Sequence, residues 1–190
     1  YSDNNQITDN EVSGNDRRGI KLWGSDNNQI TNNEISGNEG TGICLLESDN
    51  NQITNNNFIQ DGLLVYKSFS NTVEGNTVNN KPLVYLEDQS NVVVGNAGQV
   101  VLVNCNNIVV ENLNLSNTDA GIELWNSSDC RIANNEFSGN NWEGIDLEYS
   151  TNNQITNNKI SGNDGDGIYF WESDNNQITN NEISGNCEEG

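Results

Sequence analysis

Apolar residues recur along this chain in short alternating runs separated by polar corners. In Ile20-Lys21-Leu22, Ile122-Glu123-Leu124 and Ile145-Asp146-Leu147 every second side chain is apolar, the period of a strand with one face turned inward. Ten residues after each such start comes a second apolar position. These anchors are Ile7, Ile30, Ile53, Val73, Val93, Val110, Ile132, Ile155 and Ile178, and from the second onward their starts are Ile20, Ile43, Leu63, Leu83, Val100, Ile122, Ile145 and Ile168. The anchors are spaced 23, 23, 20, 20, 17, 22, 23 and 23 residues apart, so all variation in length falls in the arc from one anchor to the next start. Strand-sized segments broken by Asn, Gly, Ser and Asp leave no room for helices. A strand that returns to one column, always in the same direction, stacks in parallel. The pattern predicts an all-β fold, a right-handed parallel β-helix (solenoid) of about nine coils of 17–23 residues. Residues 1–190 are expected to form one unbroken stack, roughly 40 Å long at about 4.8 Å per coil.

Asparagine explains how so polar a chain holds together. Two residues before the anchor stand Asn5, Asn28, Asn51, Asn71, Asn91, Asn153 and Asn176; three after it stand Asn10, Asn33, Asn56, Asn76, Asn96, Asn135, Asn158 and Asn181. Amides stacked at the coil spacing hydrogen-bond along the axis as ladders, and Asn tolerates the left-handed backbone of sharp corners. Ile108 and Cys130 replace Asn in the first column and Leu113 in the second, exchanges that suit a buried column.

Only 32% of the chain is hydrophobic, mean hydropathy is -0.73 and the net charge is -21 with seven Lys and Arg. Periodicity argues against the disorder such numbers suggest. The acidity excludes nucleic acid, which needs a basic stripe, and the absence of an 18-residue apolar run excludes a membrane-spanning segment. The chain starts and stops inside a repeat with no polar cap, so it is expected to be a mature or excised piece of a longer array. Its open strand edges favour head-to-tail self-association into filaments.

Several groups carry candidate chemistry. Asp3, Asp26 and Asp49 share a column, and Glu123 and Asp146 stack on an outward strand face; each is either a solvated acidic face or an oxygen-rich site for Ca²⁺. Glu136, Lys159 and Glu182 alternate in sign as cross-strand pairs. The short arcs fall together in the third to fifth coils and predict a notch near Phe58, Asp61, Lys81, Asn96 and Gln99, either a plain change of cross-section or a sugar site. Trp23, Trp125 and Trp171 each lie three residues after a strand start, placed to stack on sugars or to pack over a corner. Cys44, Cys105, Cys130 and Cys187 share no column in neighbouring coils, so Cys44 and Cys187 are expected to cross-link between chains rather than within one. Asn114-Leu115-Ser116 and Asn126-Ser127-Ser128 are glycosylation sequons.

The phrase Asn-Gln-Ile-Thr-Asn-Asn-Glu-Ile-Ser-Gly-Asn, followed by Gly-Ile-x-Leu, resembles the repeats of NosD-like parallel β-helix proteins. It is also similar to carbohydrate-binding and sugar-hydrolysing β-helix domains. The stretch from Ala97 to Ser116, continuing through Gly121-Ile122-Glu123-Leu124-Trp125, resembles large archaeal surface proteins with such repeats. The NosD resemblance implies copper delivery, which calls for soft or imidazole ligands, and the chain has no His and no Met. Resemblance to pectinases implies clustered Asp with a His, and to pectate lyases calcium carboxylates facing an Arg; the only arginines are Arg17, Arg18 and Arg131. The expectation is therefore a non-catalytic, extracellular structural protein of a cell-surface layer, sheath or filament. A carbohydrate-binding surface module stands as the alternative and a polysaccharide lyase or hydrolase fragment as the second.

Overall fold

A computed structural model describes all residues, Tyr1–Gly190. The fold is all-β, with no helix. Anchor strands stack in parallel with like residues in register: Ile7 on Ile30, Ile30 on Ile53, Val73 on Ile53. Further along, Ile132 sits on Val110, Ile155 on Ile132 and Ile178 on Ile155. The β-helix read from the repeat is the one that forms.

The fifth anchor is corrected by one residue. Val94, not Val93, pairs with Val110 and is buried, whereas Val93 is 66% exposed. Its strand start shifts in step, Val84 replacing Leu83 in register with Val100, so the ten-residue offset survives. Because strand side chains alternate, a slip of one moves every residue to the opposite face. Asn91 and Asn96 accordingly leave the ladders and are exposed.

The amide ladders are present elsewhere. Asn5, Asn28, Asn51 and Asn71 bond in sequence through Nδ2 and Oδ1 at 2.9, 3.1 and 3.3 Å. Asn10, Asn33, Asn56 and Asn76 do so at 3.0, 2.9 and 3.0 Å. Each Oδ1 also accepts the backbone amide of the preceding coil's Asn. Ile108, Cys130 and Leu113 are buried in the same columns. A third amide column, missed in the sequence, runs Asn15, Asn38 and then the carboxylate of Asp61.

One unbroken stack is not what forms. In a continuous rod Lys81–Glu87 would lie on Leu63–Tyr66. Instead it turns back on Thr77–Val78 as an antiparallel hairpin, Val78 opposite Lys81. Asn79 and Asn80 at its tip have φ of 50° and 64°, the left-handed pair that a two-residue hairpin turn requires. The chain thus makes a first stack of four anchor strands and a second of five, joined through one nine-stranded sheet. Each stack has its own apolar core.

The outer face of the second stack's long sheet closes the open end of the first. Val101, Val103 and Trp125 point out of the second stack and belong to the core of the first. The unpaired edge of Leu63–Tyr66 is satisfied by side chains: Gln99 accepts from the Leu63 amide at 2.9 Å and donates to its carbonyl at 2.8 Å. Glu123 accepts from the Val65 amide at 3.0 Å. A Cβ at Gly62 would collide with Thr118 Oγ1 and Gln99 Oε1, so a side chain here would displace both and disturb the Gln99 bonds to Leu63.

Candidate functional site

The seam between the stacks fills the notch expected from the short arcs. Phe58, Asp61 and Gln99 are fully buried. Asp61 Oδ2 accepts from Asn38 Nδ2 at 2.8 Å, and Lys81 Nζ donates to the Asn114 carbonyl at 3.1 Å. The sugar site proposed there is corrected: the chain's own second stack occupies the space, because the hairpin brings it back.

Carboxyl groups accumulate along this seam. On the outer face of the long sheet, Val101, Glu123, Asp146 and Tyr169 stand in one column, and Val103, Trp125, Glu148 and Trp171 in the next but one. The first two coils of this face are covered by the first stack, and the last two emerge from it. Trp125, 7% exposed, packs between Tyr66 and Tyr149 with ring centroids 5.1 and 4.9 Å away; Trp171 is 48% exposed. Glu123 and Asp146 therefore do not form the open acidic strand face expected from alternation, since Glu123 is buried against the first stack.

Burial dominates the chemistry of these acids. Loss of solvent, then the charge of Asp61, raises the Asp119 carboxyl well above its usual range; Gly42 donates its backbone amide to Asp119 Oδ2 at 3.0 Å. Burial and then Asp146 do the same to Glu123, and burial with Glu143 and Glu148 to Asp146. Glu143 and Glu148 are each pushed up to about 7, again chiefly by burial, with Lys67 opposing at Glu148. Asp61 reaches about 6 by burial, opposed by Asn38. One oxygen each of Asp61, Asp119, Glu123, Asp146 and Glu148 is buried without a partner. Carboxyls that titrate near neutrality are equipped for general acid and base work.

The other expected residues lie apart. The Asp26 amide donates to Asp3 Oδ1, the Asp49 amide to Asp26 Oδ1 and the Phe69 amide to Asp49 Oδ1, at 2.8, 2.8 and 2.7 Å. This acidic column caps the corner of the next coil. No three carboxylate, Cys or His side chains gather closely enough to hold a metal ion. Lys159 pairs with Glu136 at 3.4 Å, as the alternating column predicted. Trp23 is exposed, with Lys21 Nζ 4.9 Å from its ring centroid. Asn114 and Asn126 are exposed. Cys187 is exposed, whereas Cys44 is fully buried as a free thiol. Alternation turns Cys44 outward, but the seam covers that face, so the intermolecular Cys44–Cys187 bridge is corrected.

Sequence reasoning missed Asp119, Glu143, Glu148 and Tyr169 as a group with Glu123. Glu148 and Tyr169 sit at outward strand positions, whereas Asp119 and Glu143 lie on the arcs just before Gly121 and Gly144; their grouping is legible only once a covering surface is known.

Solved structures share the architecture. The A-module of the mannuronan C-5 epimerase AlgE4 of Azotobacter vinelandii is 18% identical with a TM-score of 0.52, over 98% of this chain and 55% of that one. The periplasmic alginate epimerase AlgG is 13% identical with a TM-score of 0.44, over 94% of this chain and 39% of that one. The chain thus spans about half the length of the first and less of the second. The AlgE4 module is an enzyme, which overturns the expectation that a β-helix of this kind is non-catalytic; the likeness itself is one of fold. No individual curated protein matches the chain.

Two family descriptions do match: "Right handed beta helix region" over residues 1–97 and "Periplasmic copper-binding protein (NosD)" over residues 60–190. The copper in that description does not fit the donors present. Cys105 and Cys130 are packed in the second core, Cys44 is in the seam, Cys187 is exposed, and there is no His or Met. No helix is long and apolar enough to cross a membrane. With the match covering well over half of its length, the chain belongs to the NosD family of right-handed parallel β-helix proteins.

Proposed function

We propose that this chain is a carbohydrate-active module of a periplasmic or extracellular protein, which grips a polysaccharide across the emergent outer face of its long sheet. The observation that carries the reading is the pairing of Asp146 under Tyr169 and Glu148 under Trp171, one strand spacing apart, beside the half-buried Glu143. Exposed aromatic rings give a sugar a flat apolar platform. Carboxyls held near neutrality beside it supply a proton donor and acceptor for chemistry at the bound unit. The likeness to the AlgE4 module, whose name places it on mannuronan, supports a carbohydrate assignment through fold alone.

The test is affinity electrophoresis against soluble polysaccharides, followed by NMR of the incubated polymer. Trp171→Ala is expected to abolish retardation, and Glu148→Gln to keep retardation while removing any change in the polymer. Equal retardation of wild type and Trp171→Ala, or no retardation by any polysaccharide, contradicts the reading.

A further inference from the structure

In a chain of 28 acidic and seven basic residues, a free guanidinium is unexpected. The two ion pairs of the molecule, Arg131 with Glu111 and Lys159 with Glu136, use neither Arg17 nor Arg18. These adjacent arginines sit on the long arc of the first coil. Together with Trp142, from an arc of the second stack, they line a cavity of about 330 Å³ whose other walls are Asp16, Glu39 and Gly40. Arg18 Nε and Trp142 Nε1, on two of the side chains that line it, are buried and have no acceptor within the protein. A buried N–H left unpaired is costly, more so on a charged group. The Arg fork matches the two oxygens of a carboxylate, and the indole adds both a donor and a flat face. The volume lies at the small end of the usual range for ligand pockets, about 300–1,000 Å³.

We infer that this cavity is a binding site for a carboxylate-bearing sugar unit, its carboxylate held by Arg17 and Arg18 and its ring set against Trp142. The site is separate from the Trp171 face and does not rest on the polysaccharide reading.

Calorimetric titration of the full chain with D-galacturonate, D-galactose and acetate tests it. Saturable binding of galacturonate is expected, with no binding of galactose and acetate weaker by about tenfold or more. Arg17→Gln and Arg18→Gln should each weaken galacturonate by about tenfold, and Trp142→Phe by less, because the ring remains. Trp171→Ala should leave this binding intact, which separates it from failure of the outer-face site. Should Arg18→Gln not fold, the exposed Arg17 carries the test. No galacturonate binding, unchanged affinity in the arginine variants, or equal affinity for galactose overturns the site. Acetate binding as tightly as galacturonate overturns the sugar assignment.

Discussion

Two buried polar regions of this molecule obey opposite rules. In the ladders, Asn28, Asn33, Asn51 and Asn56 are buried with their amide groups bonded to the coils on either side. At the seam, Asp61, Asp119 and Glu123 are as deeply buried, yet each leaves one oxygen bare. An amide carries donor and acceptor together, so identical residues in register satisfy one another without charge. A carboxylate only accepts, and a second one beside it repels. The ladders are what a repeat does for stability. The seam is what the break in the repeat creates, and it is where strained protonation equilibria and unpaired donors collect.

That contrast is broken most severely within a ladder. Asn56→Ala removes the acceptor used by the Asn33 amide and side chain, and the donor to the Ile30 carbonyl. It is expected to cost about 3–5 kcal/mol in urea unfolding. The seam should behave in the reverse sense. Its carboxyls have folded-state pKa values raised above their unfolded ones, so their contribution is complete below the unfolded values. It is lost as pH rises through the folded values, about 6 for Asp61 and about 7 for Glu143 and Glu148. Melting temperature should therefore fall between pH 5 and pH 8. Glu123→Gln, which keeps an acceptor for the Val65 amide, should stabilise by about 1–3 kcal/mol at pH 8 and flatten the pH dependence. A melting temperature that rises over that interval would contradict the assignment of raised values.

The hairpin is the next, smaller lever. Asn80 has φ of 64°, where a β-branched residue is strained. Asn80→Val should cost about 1–2 kcal/mol and Asn80→Gly almost nothing, read by denaturant midpoint. Smallest of all, Asp26→Ala removes one partly buried cap for the Asp49 amide and is expected to cost less than about 1 kcal/mol.

The same residues show what a sequence of this kind discloses. Register along the axis was legible because Ile and Asn recur at fixed offsets and each coil repeats the one before it. The break was not legible, because Asn79-Asn80 looks like every other corner. Asn4, Asn27 and Asn50 also take positive φ, each followed by an Asn that enters a ladder. Only the position of Asn79-Asn80, between Val78 and Lys81 where a strand should continue around the coil, distinguishes a hairpin tip from a bend. The one-residue slip at Val93 arose from three consecutive valines, Val92 to Val94, which carry no alternation. The candidate site followed the same limit. Glu123 and Asp146 were visible as an outward pair, but their burial depends on a surface delivered by the hairpin, and Arg17 meets Trp142 only through it.

The folded-back arrangement is tested most directly by a distance between Glu39 and Asp164. They hold equivalent places in the second and eighth coils, yet both line one cavity at the seam. Spin labels at these two sites, in a chain with Cys187→Ser to remove the exposed thiol, should give an electron–electron distance below about 20 Å. A continuous rod would separate the two coils by about 29 Å along its axis, and a distance centred there or beyond would contradict the account.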